Sequence, residues 1–174
     1  MFKRISAVAA SAAMLSACVS MPPNPIDTAT RQGAFVKDAA IVWSVDEAKR
    51  VDNPAYLTDK ADMQAKLEAA VEQEFKTSPA GSVPVTLKVD VKQFMRANAA
   101  VGQLVGLPNA VTADVIVVRD SDGAELGTYK GVMGMYQGGG GLIGLAVQAA
   151  SRPDVQQVMA NSFATNLRAR FQGK

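Results

Sequence analysis

The chain has 174 residues, with 18 Lys plus Arg against 16 Asp plus Glu, 48% hydrophobic and 6% aromatic residues, one cysteine and no histidine. That length suits one domain with a modest, mostly aliphatic core, and near-balanced charge offers no basic block for nucleic acid. Without histidine the usual general base of a nucleophile triad and the commonest zinc ligand are both missing, and one cysteine builds no disulfide framework.

Lys3 and Arg4 open the chain, an alanine-rich apolar stretch runs from Ile5 to Met14, and Leu15-Ser16-Ala17 leads to the lone Cys18. This is the order of an export signal. The apolar stretch is too short for a membrane-spanning helix, which needs roughly 20 residues. Leu15-Ser16-Ala17-Cys18 resembles the lipobox of bacterial lipoproteins. The resemblance implies removal of residues 1–17 and acylation of Cys18, by palmitate-like chains, as the new first residue. Each buried methylene contributes about 0.8 kcal/mol, so two or three such chains hold stably where one would not. In lipoproteins of the enterobacterial type an aspartate after the cysteine favours the inner membrane. Val19 and Ser20 stand here instead, which implies the periplasmic face of the outer membrane. Loss of Lys3 and Arg4 takes the basic count from 18 to the same 16 as the acidic one.

Residues 18–33, rich in Pro, Thr and small polar side chains, read as the acylated cysteine and a flexible tether, and 34–174 as a single periplasmic domain. Ala34 to Val45 ends in a β-branched, aromatic run that predicts a first strand, placed centrally in the sheet. Thr58 to Thr77 predicts a helix with Thr58 and Asp59 as capping candidates and Met63, Leu67, Ala70, Val71 and Phe75 on one buried face. Val83, Val85, Leu87, Val89 and Val91 alternate with polar or turn-forming partners through Lys92, the pattern of a strand with one wet face.

Strands are predicted over Val111 to Val118 and Glu125 to Val132, joined by Asp120-Ser121-Asp122-Gly123, whose Asp-Gly suits a tight hairpin. A final helix is expected to start at Pro153, capped by Ser151 or Arg152, with Asp154 suited to its N-terminus. Its buried stripe is drawn through Val155, Val158, Met159, Ser162, Phe163, Leu167 and Phe171. The order strand, helix, three strands, helix gives an α+β fold. This is a small two-layer sandwich of about four mostly antiparallel strands with two helices on one face, the first strand joining through the helix crossover.

The connections Asn98 to Ala110 and Gly134 to Ser151 are apolar and glycine-rich, and the hairpin places them at the same end of the sheet. Val101, Leu104, Val105 and Leu107 are expected to meet Leu142, Ile143, Leu145 and Val147 in one apolar patch. Three uses compete for it: a private mini-core, a docking patch for a protein, or a lipid or peptidoglycan-proximal contact.

Other chemistry finds little support. Asp120, Asp122 and Glu125 lack the full ligand ladder of a calcium loop. Gly138 to Gly141 is followed by Leu142 and Ile143, not the Lys and Ser or Thr of a phosphate loop. Asp38, Asp46 and Glu47 form the one carboxylate set for a hydrolase, without a suggested aromatic-lined cleft. No metal and no cofactor is expected.

The order from Val83 to Phe171 resembles small uncharacterised α/β envelope lipoproteins of Gram-negative bacteria. More loosely it is similar to the lipoproteins that activate penicillin-binding proteins and to the lipoprotein plug of the lipopolysaccharide translocon. Only Cys18 carries over as a functional residue, and the short tether departs from the activators. The anchor and the paired apolar loops together point to a non-enzymatic binding or accessory subunit of a cell-envelope assembly or transport machine, anchored by acyl chains and partnered by an envelope protein. A carrier of lipid or another hydrophobic ligand is the alternative, and a carboxylate hydrolase the second.

Overall fold

The computed structural model describes residues 23–45, 60–76, 81–95, 109–136 and 154–173. These form α1 (Thr28–Gly33), β1 (Ala34–Trp43), α2 (Lys60–Lys76), β2 (Val83–Met95), β3 (Asn109–Arg119), β4 (Glu125–Tyr136) and α3 (Val155–Gln172). The fold is α+β, a mixed sheet in the order β1-β2-β3-β4. β1 runs parallel to β2, while β2, β3 and β4 form an antiparallel meander.

α2 packs on β1, α3 packs on β4, and the two helices pack on each other. Val85, Leu87, Val89 and Val91 of β2 and Val111, Ala113, Val115 and Val117 of β3 point into the layer beneath them and are buried. A shift of register between Val91 and Gln93 carries Phe94 onto the same core face, so β2 outruns the alternation that ends at Lys92. From the helices, Met63, Leu67, Val71, Met159, Phe163 and Leu167 complete a core with almost no exposed surface.

Four expectations are corrected. β1 lies at the edge of the sheet rather than its centre. Its apolar run misleads because Ala39 is buried on the core face, while Val42, pointing the other way, is 49% exposed. The cap of α3 is Asp154, whose carboxylate accepts from the Gln157 N–H at 3.1 Å. The stripe of α3 is rotated: Gln156, Met159, Ala160, Phe163, Ala164, Leu167 and Phe171 are buried, whereas Val158 is 38% exposed. Finally, the tether does not extend to Gly33. Ile26 is 3% exposed within the core, and Asp27 caps α1 through the Thr30 N–H. One apolar side chain in a polar stretch has no period to betray it, yet burying it ties the segment down.

Candidate functional site

The described residues sort the two ends of the sheet into different roles. At one end lie Trp43, Met95, Asn109 and Tyr136, where Met95 pairs with Ala110 and Asn109 with Tyr136. Lys60 at the start of α2 stands over the Trp43 ring at 5.8 Å, and Trp43 meets Phe94 edge to face at 5.5 Å. Residues 46–59, 96–108 and 137–153 all join elements at this end, which we call the connection end. The opposite end, the strap end, holds the β3–β4 hairpin, the start of β1 and the C-terminus of α3.

The strap is the segment Asn24–Arg31. The Asn24 amide donates to the Arg170 carbonyl at 2.6 Å, and its oxygen accepts from the Tyr129 hydroxyl at 3.0 Å. Burial pushes the Tyr129 phenol up, against the pull of that Asn24 bond. Arg31 donates to the carbonyls of Ile26 and Phe171 and to the Thr28 hydroxyl. At Gly127 a Cβ would lie 2.7 Å from Ile26 Cγ1 and 3.0 Å from the Pro25 carbonyl. Glycine there lets the strap approach β4 closely.

At the connection end Lys66 bridges Asp62 at 2.6 Å and Asp154 at 2.8 Å, linking α2 to the first turn of α3. Arg168 reaches Glu74 at 3.2 Å farther along both helices, so the helices run parallel. The Lys66 hydrogen bond, then the Gln157 N–H, hold the Asp154 carboxyl below its ordinary 3.8, against modest burial. Burial works against the Lys66 ammonium, but bonds to Asp154 and Asp62 outweigh it and keep its pKa above 10.5.

A carboxyl depressed on folding stabilises the fold above its unfolded value and loses that contribution as the pH falls through the folded one. A raised ammonium contributes below its unfolded value and fades as the pH rises through the folded one. Asp154→Asn keeps a capping side chain but not the charge. It is expected to flatten the stability profile below pH 4 by a few tenths of a kcal/mol, since the pair is partly exposed. Urea unfolding at pH 7 and pH 3 checks this: equal pH dependence in the two proteins refutes the contribution.

The two sheet edges differ. Along β4, Asn166 donates to the Met133 carbonyl at 2.7 Å, Arg170 to the Lys130 carbonyl at 2.8 Å, and Ser162 accepts from the Met135 N–H at 3.3 Å. One polar stripe of α3 thus engages backbone groups of β4 between Lys130 and Met135. β1 has no strand on its outer side among the described residues, and Asp38 takes up the Ala39 N–H with its own carboxylate.

The sheet face away from the helices is charged. Asp90 stands opposite Asp114, a costly pairing that Lys92 and Lys130 offset, Lys130 at 3.9 Å from Asp114. Gly131, at φ +59°, gives its N–H to Asp114. A recess of about 140 Å³ between β1 and α2 is lined by Val36, Lys37, Asp38, Glu72, Phe75 and Lys76. It is small beside the several hundred Å³ of ordinary ligand pockets.

Of the residues singled out in the sequence, Cys18, Val101, Leu104, Val105, Leu107, Leu142, Ile143, Leu145 and Val147 lie outside the described residues, as do Asp46 and Glu47. Asp38 is exposed on β1. The strap was missed. Its one signal, Asp27 placed to cap Thr28–Gly33, is a short capping pattern inside a proline-rich run.

No family model and no curated protein matches the chain. Among solved structures it is similar to a candidate lipoprotein from Caulobacter crescentus CB15, at 12% identity and TM-score 0.44, over 83% of this chain and 91% of that one. A PelC dodecamer from Paraburkholderia phytofirmans is similar at 15% identity and TM-score 0.46, over 81% and 90%. An uncharacterised protein is similar at 12% identity and TM-score 0.36, over 81% and 91%. Likenesses this distant say nothing of what the chain binds or does.

Proposed function

We propose that the chain is a lipid-anchored protein of the bacterial cell envelope, held through acyl chains on Cys18 at the periplasmic face of the outer membrane. It works by binding an envelope protein as an accessory subunit and performs no catalysis. The lipobox supports the anchor. The binding role rests on one observation: connections 46–59, 96–108 and 137–153 all join elements at one end of the sheet. Long connections presented by a fixed scaffold are where recognition concentrates.

Cys18→Ser is expected to abolish acylation by intact mass and move the protein from the membrane to the soluble fraction, with the fold unchanged by circular dichroism. Loss of two or three chains removes nearly all affinity for lipid, at about 0.8 kcal/mol per methylene. Continued membrane association of Cys18→Ser would refute the anchor. In the same cells, photoreactive residues at Leu104 and Leu142 should trap one envelope protein that a probe at Asp122 does not. Equal trapping from all three sites refutes the accessory role.

A further inference from the structure

We infer that the outer edge of β1 is an interface at which two copies of this chain pair, antiparallel about a two-fold axis at Val42. The product is one continuous sheet of eight strands, four from each copy. Ser44 donates to the Val91 carbonyl at 2.9 Å, and the register of β1 on β2 is unbroken from Asp38 to Trp43. Backbone groups alternate in direction along a strand, so Ala40, Val42 and Ser44 face β2 while Ala39, Ile41 and Trp43 turn theirs outward. No described strand meets them.

The outward groups restrict where a strand can add. Before Ala39 the ladder carries the bulge between Val36 and Asp38, with Lys37 exposed inside it, and both features deter pairing at an edge. The Ala39 N–H is already taken by the Asp38 carboxylate at 2.8 Å. An axis at Ile41 sets the Trp43 carbonyl against that occupied N–H. An axis at Trp43, the last residue of β1, sets Ile41 against residues beyond the strand. At Val42, by contrast, Ile41 stands opposite Trp43 of the second copy, and each such pair exchanges both of its hydrogen bonds. Of the three registers this one satisfies the outward groups of Ile41 and Trp43 within the strand.

The side chains agree with that register. Val42, 49% exposed on the open face, meets itself at the axis. On the core face half-buried Ile41 comes beside Trp43 of the second copy, a β-branched and aromatic pair of the kind that stabilises sheets. Ala40 falls opposite Ser44, both small and exposed, and no charged residue lies between Ala39 and Ser44. Above the edge, α2 stands over β1, and Glu72 lines the recess between them. Ala61, Ala65 and Glu68 share the Glu72 side of the helix, and both alanines are exposed. Two α2 helices set side by side by the pairing therefore meet through alanines, which let them approach closely. A second copy of the chain is the partner that brings the matching helix. Pairing through β1 also closes on itself, because one patch serves both copies.

The Cys18→Ser protein contains no thiol, so an introduced cysteine reports one place whether or not the native chain is acylated. Facing residues that exchange no hydrogen bonds stand about 4.5 Å apart at Cα, within the span of a disulfide. Under mild oxidation Val42→Cys should link to its copy almost completely, whereas Ala40→Cys and the hairpin variant Ser121→Cys should stay single. In the same background Val42→Lys sets like charges opposite each other and should raise the dimer dissociation constant about tenfold or more in sedimentation, with circular dichroism unchanged. Linkage at 40 or 121 as ready as at 42 overturns the proposal. So does a Cys18→Ser protein that sediments as a monomer at millimolar concentration, or a dimer that Val42→Lys leaves intact. None of these results bears on the anchor or on the accessory role.

Discussion

Replacing Gly134 by valine is expected to destabilise the domain by about 3 kcal/mol or more, at the upper end of what overpacking costs. A Cβ at this position would lie 2.2 Å from the Met159 carbonyl oxygen and 2.7 Å from Phe163 Cβ. The first of these is helix backbone and cannot swing aside, so α3 must lift from β4. Lifting it withdraws Met159, Phe163 and Leu167, each buried to within a percent, from contact with the sheet. Even Gly134→Ala should lower the urea midpoint clearly. Gly33→Ala is the control, because a Cβ there meets nothing within 4 Å, and an open site shifts stability by no more than about 0.5 kcal/mol. Equal midpoints for the two alanine variants would show that α3 and β4 do not need glycine to meet.

Arg31→Ala should cost about 2 to 3 kcal/mol, the loss of charge-assisted hydrogen bonds that nothing else replaces. The guanidinium gives Nε to the Ile26 carbonyl at 3.0 Å, Nη1 to the Phe171 carbonyl at 2.9 Å and Nη2 to the Thr28 hydroxyl at 3.0 Å. It thereby closes the turn of the strap and supplies a cation to the C-terminus of α3, where free carbonyls favour one. Arg31→Lys should recover less than half of the loss, since an ammonium lacks the planar fork that serves three acceptors. Urea unfolding gives the stability change. Limited proteolysis gives its location: cuts within residues 24–33 should precede cuts in the sheet. A strap as resistant in Arg31→Ala as in the parent would mean that burial of Ile26 holds it alone.

The sheet was legible because its strands alternate. Val83 to Val91 states which side is buried before any partner is known, and Asp122-Gly123, with Gly123 at φ +71°, marks the hairpin. Helix α2 was equally plain, its five expected core residues all buried. The phase of α3 was harder because apolar side chains lie on more than one side. Val155 and Val158 compete with Ala160 and Ala164, and tertiary packing buries the two alanines while leaving Val158 exposed.

The position of β1 was not legible, since a parallel edge strand covered on one face can carry as many β-branched residues as an interior one. Nor was the strap, whose binding depends on Arg170, Phe171 and Tyr129, more than a hundred residues away in the chain. Of the candidate site, the shared end of the two apolar connections followed from the hairpin alone. The third connection joined them only once β1 was seen to run parallel to β2.

The engaged backbone of β4 between Lys130 and Met135 bears on how such sheets associate. Strand edges are the groups by which sheets add to one another. A sheet with two open edges is a bifunctional monomer and can grow into a fibre without limit. With Ser162, Asn166 and Arg170 engaged between Lys130 and Met135, β4 is blunted over its second half, while β1 has no strand on its outer side among the described residues. Growth by strand addition is thereby made one-sided over that half of the sheet.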